Sequence, residues 1–285
     1  MTNRDLADEG PEAVPIRHPA ELPDGGIAVV GLPFDGNSSF LRGPAAGPAS
    51  LRRVLHAGSS NLTTEEGTDL GTSEAWGHIG DLELDEDGAD QAIEQGIASL
   101  LDRGLRFVAL GGDHSVTFPI LRALGPRHRD LTIVHLDAHP DLYDELDGNR
   151  LSHACPFARI LEAGLAQRLI QIGIRTLNEP QRRQAERFGV EILPAKEWTC
   201  DRLPEVSGDV YLSLDLDVLD PAYAPGVSHH EPGGLSSRQV LTILQNLGGN
   251  LVGADIVELN PHRDPLDMTA MVAAKCLKEV LGRML

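Results

Sequence analysis

Lysine is scarce in this 285-residue chain: only 3 of its 24 basic residues are Lys, against 43 acidic ones, for a formal net charge of −19. So little positive charge excludes nucleic-acid binding, which rests on Lys and Arg neutralising phosphates. An acidic surface instead keeps the chain soluble and draws small cations toward its clefts. Cysteine is just as sparse. Cys155, Cys200 and Cys276 are too few and too far apart for a disulfide framework or a C-x-x-C zinc site, and they fit a reducing cytoplasm. No run of 18 apolar residues is present, which excludes a transmembrane helix. No internal repeat is present either, which excludes solenoids. Met1 to Gly25 is polar, acidic and proline-rich without the apolar centre of a signal peptide, and reads as an N-terminal arm.

With 41% hydrophobic residues the chain can bury a sizeable core. From Gly26 onward short aliphatic runs alternate with amphipathic segments. Strands are expected at 26–33, 105–110, 131–136, 169–174, 191–193, 210–214 and 251–257. Helices are expected at 48–57, 89–103, 117–124, 157–163, 179–188, 236–247 and 269–285. Strands alternating with helical patterns predict a mostly parallel central sheet covered on both faces, a three-layer αβα fold. No linker interrupts the rhythm, so 26–285 reads as one α/β domain.

Four of those strands end in acids and imidazoles. Gly111-Gly112-Asp113-His114-Ser115 follows Leu110, Asp137-Ala138-His139-Pro140-Asp141 follows Leu136, Asp215-Leu216-Asp217 follows Leu214, and Glu258 follows Val257. In open parallel sheets ligands bind beyond the carboxyl ends of the strands, so four distant segments are predicted to reach one crevice. On an extended backbone D-x-H-x-D and D-x-D would point all their ligand groups to one side. Oxygen-rich sites with some imidazole favour hard or borderline cations, and two metals about 3.5–4 Å apart can activate a shared water for hydrolysis. The pattern reads as a two-metal hydrolase. A calcium-loop reading of Asp215 to Asp220 fails, because the EF-hand glycine and terminal glutamate are missing. Two-metal phosphoester cleavage would want basic residues in the metal motifs, and there are none.

These runs, together with Ser152-His153, Ser213 to Pro221, Ala224 to Gly234 and Asp255 to Pro261, resemble the ureohydrolases: arginase, agmatinase, guanidinobutyrase, formimidoylglutamase and relatives. Asp137 to Asp144, Gln171 to Arg175, Gly226 to Ser236 and Met268 to Lys275 are most similar to the plant-type arginases, a branch that is agmatinase-like in sequence. The resemblance implies an arginase-like fold and two Mn2+ per chain, with Ni2+ or Co2+ as chemically compatible substitutes. His114, Asp137, Asp141 and Asp215 would hold one ion and His139, Asp137, Asp215 and Asp217 the other. A metal-bridging hydroxide would then attack a guanidinium carbon. It also implies a homo-oligomer, trimer or hexamer, acting on a small cationic guanidino substrate.

The remaining roles follow the same resemblance. His153 would assist proton transfer to the leaving amine, which imidazole chemistry suits. Glu258 would pair with the guanidinium in a bidentate manner. Asp113 would orient the neighbouring ligand. Asn149, Ser152, His229 and His230 would lie near the substrate. A rival Cys155/His153 nucleophilic mechanism would leave the metal motifs unexplained. A non-catalytic metal-binding regulator would show missing ligands, and none is missing. Thr176 stands where animal and bacillus arginases place an aspartate for the α-amino group. Arginine, agmatine, guanidinobutyrate and formiminoglutamate therefore all stay open from sequence.

Overall fold

The computed structural model describes residues 16–199 and 203–285. Residues 1–15 of the expected arm and Cys200 lie outside the described residues. Eight strands form one wholly parallel sheet: β1 (Ile27–Leu32), β2 (Trp76–Asp81), β3 (Arg106–Gly111), β4 (Thr132–Leu136), β5 (Arg168–Ile174), β6 (Glu191–Pro194), β7 (Asp209–Asp215) and β8 (Asn250–Val257). Their order is β2-β1-β3-β8-β7-β4-β5-β6. The seven expected strands are all present, and parallel pairing is complete rather than partial.

β1 is buried along its whole length and β8 beyond its first residue, so neither shows the alternation of a half-exposed strand. Both sheet faces are covered. One core packs under α1 (Gly47–Leu55), α6 (Ser237–Asn246) and α7 (Met268–Met284), with Val108, Leu214 and Leu277 at its centre. The other packs under α2 (Ala89–Asp102), α3 (Thr117–Leu124), α4 (Pro156–Glu162) and α5 (Glu179–Phe188), around Phe107, Ile133 and Tyr211. Each such buried aliphatic or aromatic side chain is worth about 1.5–3 kcal/mol, so the two cores hold the strand ends in fixed positions.

β2 was not legible in the sequence. Trp-Gly-His-Ile-Gly-Asp holds two glycines and two polar groups in six residues, a composition that disfavours strand. It is an edge strand paired only with β1. Residues 16–25 guard that edge. Ile16 bridges to His78, and the Arg17 amide donates to the His78 carbonyl at 2.7 Å.

Candidate metal centre and substrate cavity

The four strands that carry the motifs, β3, β8, β7 and β4, are the four contiguous central strands of the sheet. Their carboxyl ends therefore open onto one place. Local chemistry shapes each exit. After β3 the chain passes so close to Phe34 that a Cβ on Gly112 would sit 1.7 Å from its carbonyl oxygen, so only glycine fits. In return Asp113 N donates to Phe34 O at 2.9 Å and Glu258 N to Gly112 O at 2.8 Å, tying the β3 and β8 exits together. Asp141 (φ 51°) and Glu258 (φ 65°) adopt left-handed backbone. Strain of this kind costs about 1–3 kcal/mol and clusters at functional sites.

Geometry corrects the expectation that an extended backbone aligns the ligands. β4 ends at Leu136 and β7 at Asp215; Asp141 is left-handed, and Leu216–Val218 is a single turn of 3-10 helix. The acids converge because strands end there and carboxylates knit the turns. Asp217 N donates to Asp215 Oδ1 at 2.8 Å and Ala138 N to Asp217 Oδ1 at 3.0 Å.

Two groups of ligand atoms share Asp137. His114 Nδ1 lies 3.1 Å from Asp137 Oδ2, 3.1 Å from Asp141 Oδ2 and 3.2 Å from Asp215 Oδ2. His139 Nδ1 lies 2.9 Å from Asp217 Oδ2 and 3.4 Å from Asp137 Oδ1. Asp137 thus turns one oxygen to each group. Asp215 is seen only with the first. His135, which sequence reading passed over as a strand residue, donates from Nε2 to Asp137 Oδ2 at 2.8 Å; its Nδ1 accepts from Gln171 Nε2 at 3.0 Å.

Electrostatics marks the cluster as short of positive charge. Burial and the charges of Asp217 and Asp137 push Asp215 well above the usual carboxylate range, and burial with Asp137 raises Asp217 and Asp141. Burial would raise Asp137 too, but His135, His114 and His139 hold it well below. Four carboxylates so close need a cation, since unpaired buried charge costs several kcal/mol. One atom shows where. His114 Nε2 donates to Ser213 Oγ at 2.9 Å, and Ser213 donates onward to Asp255 Oδ1 at 2.7 Å. The ring proton is thereby committed to Nε2. Buried Nδ1 makes no hydrogen bond although three carboxylate oxygens surround it. A lone pair so placed, on a ring whose other nitrogen is anchored, could serve as a metal ligand, and the donor set fits divalent cations.

Beside this cluster is a cavity of about 330 Å³ lined by Ser39, His139, Asp141, Tyr143, Leu146, His153, Thr176, Asn178, His229 and Glu258 among others. Glu258 Oε1 accepts from His114 N at 3.0 Å and from His153 Nδ1 at 2.8 Å, so Oε2 is the oxygen available to a ligand. Burial works against a charge on His153, but Glu258, Asp113 and Asp141 outweigh it and raise its pKa to about 9. Burial likewise raises Glu258, and His153 and the His114 amide bring it below its ordinary value. His229 lines the cavity with its ring 5.1 Å from that of His153; burial and His153 lower its pKa to about 4.

Other expected contacts fall elsewhere. His230 is exposed and bonds Pro225 O at 2.7 Å, held by the turn around Gly226. Asn149 caps its own loop at Leu151 N and bonds Asn37; the tight turn from Leu146 to Asn149 puts Leu146 in the cavity lining and leaves Asn149 out of it. Ser152 is buried; its hydroxyl accepts from Ala154 N and its carbonyl from Cys155 N. Asp113 bonds neighbouring loop groups. It accepts from Asn37 N, Ser38 Oγ and Ser115 N, so it secures the loop before α1 rather than the ligand. Burial raises the Cys155 thiol to about 12, an inert group. Ser39, Tyr143 and Asn178 were missed because loop residues carry no periodic signal, and Gln181 because in α5 it reads as an ordinary helix residue.

A wholly parallel sheet with acids and imidazoles at its central carboxyl ends defines a metal-dependent hydrolase of the α/β class. The arginase family model matches residues 25–282, and the chain belongs to the arginase family. It is 46% identical over 275 residues to arginase 2, chloroplastic/mitochondrial, of Arabidopsis thaliana, covering 90% of this chain and 80% of that protein. It is 33% identical over 271 residues to an agmatinase of Bacillus anthracis, covering 90% of each. The solved arginase of Medicago truncatula superposes with a TM-score of 0.86 at 41% identity, covering 92% of this chain and 88% of that one. No helix among the described residues is long and apolar enough to cross a membrane.

Proposed function

We propose that this protein hydrolyses the guanidino group of arginine, giving urea and ornithine, with two Mn2+ as cofactors. His114, Asp137, Asp141 and Asp215 would hold one ion, and His139, Asp137, Asp215 and Asp217 the other. The ions would supply a water acidified enough to attack near neutral pH. Glu258 orients the substrate, because its Oε2 can pair with a guanidinium while Oε1 stays anchored by the His114 amide. His153 carries the proton that a basic leaving amine needs. The observation that carries the reading is this union in one cavity of a metal-ligand cluster, a guanidinium-directed carboxylate and a charged imidazole.

Arginine is placed ahead of agmatine on two grounds. The relatives named arginase are the more similar ones, 46% against 33%. The wall across from Glu258 follows β5, three strand spacings or about 14 Å from β8, and offers Thr176 and Asn178, with Tyr143 and Leu146 beside them. A lone ammonium tail would meet no carboxylate among these four. An amino-acid head, with donors and acceptors together, matches neutral polar groups. Arg175 is not available to its carboxylate: its guanidinium bonds the carbonyls of Asp217, Val218, Leu219 and Glu231.

A substrate panel on manganese-loaded protein, with urea and formamide as measured products, tests the proposal. Efficiency on arginine at least tenfold above agmatine is expected, about 1.4 kcal/mol of discrimination. The reverse ratio would make agmatine the substrate. Formamide from formiminoglutamate without urea from any guanidine would overturn the substrate class. The reading extends to a cytoplasmic homo-oligomer, trimer or hexamer, which sedimentation would check.

A further inference from the structure

The loop between β1 and α1 contributes one group to the cavity, and no metal or guanidinium chemistry accounts for it. Ser39 Oγ lies 2.8 Å from His153 Nε2, while the Ser39 amide donates to the same nitrogen at 3.2 Å. On the opposite side of the ring, Nδ1 meets Glu258 Oε1 at 2.8 Å. Ser39, His153 and Glu258 thus form one hydrogen-bonded line along the cavity wall.

The loop is built to hold that line. Asp35 Oδ2 accepts from Gly43 N at 2.7 Å and closes the loop on itself. Asp113 Oδ2, fully buried, accepts from Asn37 N at 3.0 Å and Ser38 Oγ at 3.2 Å. Asn37 O in turn accepts from the His153 amide at 3.2 Å. His153 is therefore gripped at its backbone and at its ring by the same three-residue segment, Asn37 to Ser39, and Asp113 is the post to which that segment is tied.

The two contacts from Ser39 to Nε2 have opposite consequences. An amide N–H can only donate, so it favours an Nε2 that carries no proton. A hydroxyl can accept as well as donate, and at 2.8 Å it can take an Nε2 proton. Glu258, Asp113 and Asp141 favour the charged ring, and of the two Ser39 groups at Nε2 only the hydroxyl can accept the proton that the charged ring carries there. We infer that Ser39 is a positioning residue for the reaction: its hydroxyl holds one proton on Nε2 of His153, so that the proton given to the leaving nitrogen is the one on Nδ1, beside Glu258. In that step the Nδ1–H bond breaks, an N–H bond forms on the departing amine, and a neutral ring is left with its remaining proton on Nε2, hydrogen-bonded to Ser39 Oγ. The inference rests on the proposed role of His153 as proton donor. Groups facing His153 are Glu258, Asp113 and Asp141, which favour its charge, and His229, which opposes it.

The experiment compares Ser39→Ala and Ser39→Thr with the parent, all manganese-loaded. One readout is the pH profile of kcat and kcat/KM. The other needs no substrate: the rate at which diethyl pyrocarbonate modifies His153, followed by peptide mass spectrometry against pH, since the reagent attacks only the unprotonated ring. Ser39→Ala leaves the amide as sole partner of Nε2. The His153 midpoint should then fall by about one unit and kcat by about five- to tenfold, with KM within about twofold and bound metal unchanged. Ser39→Thr keeps the hydroxyl and should restore both midpoint and kcat to within about twofold. A parental midpoint and kcat in Ser39→Ala would overturn the inference. So would equal impairment of Ala and Thr variants, which would mark a merely structural loop. If the parent hydrolyses no guanidino compound, the proposed function fails, while the modification midpoint still judges the Ser39 contact.

Discussion

The strand-end cluster and the loop shell around it are two different kinds of site. His114, Asp137, Asp215 and Glu258 sit at or just beyond the ends of four adjacent central strands, buried throughout except at the first residues of β3, β7 and β8, with two cores behind them. Ser39, Tyr143, Asn178 and His229 come from connections between elements, and their surroundings are half open. A buried strand end cannot move without disturbing the sheet, so it suits groups whose spacing must be rigid. Loops vary at little cost and suit groups that distinguish one substrate tail from another. On the proposed function the metal chemistry belongs to the first region, while the second is shared between Ser39, which positions His153, and the groups that face the substrate tail.

That division can be broken by experiment, most severely at Asp137, whose two oxygens face the two ligand groups. Asp137→Ala should abolish turnover by at least about a thousandfold and release metal, as judged by elemental analysis of the purified protein. A variant that keeps its metal and more than a tenth of its activity would mean that the cluster is not the reactive centre. Glu258→Gln keeps the shape and removes the charge. Catalytic efficiency should drop about ten- to a hundredfold, roughly 1.5–3 kcal/mol, with metal content unchanged; normal kinetics would reduce Glu258 to a strand end.

The shell should respond differently. Asn178 bonds Tyr143 OH across the mouth of the cavity. Asn178→Ala is expected to change the arginine-to-agmatine efficiency ratio by about three- to tenfold, mainly through KM, and to leave metal binding untouched. Equal losses on both substrates, carried by kcat, would erase the proposed division. The smallest effect is in stability. His153 has its pKa raised from 6.5 to about 9, so its pairing with Glu258 stabilises the fold fully below about pH 6.5, and that contribution is lost as pH rises through 9. His153→Asn should flatten this part of the curve of denaturant midpoint against pH. An unchanged slope between pH 6.5 and 9 would place the raised pKa in doubt.

Legibility in the sequence followed the same boundary. Acids and imidazoles at the ends of aliphatic runs could be read as ligands because burying them without a cation is so costly. All six predicted metal ligands come together, and Glu258 and His153 meet across the cavity. Asn149, Ser152 and His230 read just as well as loop residues, yet their side chains bond their own turns and, for Asn149, Asn37 as well. His135 looked like any strand residue until β5 brought Gln171 beside it. β2 escaped because an edge strand gains its place from its one neighbour and from residues 16–17, not from its own weak propensity.

By itself the amino-acid order determined the alternation of strand and helix, the two-sided burial of the sheet and which acids and imidazoles gather as candidate metal-binding groups. Hydrophobic period and the cost of buried charge are local properties, and a chain displays them wherever it is read. Only the tertiary structure decided that β3, β8, β7 and β4 lie side by side, although 3, 4, 7 and 8 are not consecutive in the chain. That adjacency fixes which carboxylate faces which imidazole, turns Asp113 from a ligand's neighbour into the post of a loop, and sets Ser39 against His153 across 114 residues of sequence. Contacts at such separation depend on how helices and sheet faces pack, a choice made by the whole molecule at once and written in no single segment.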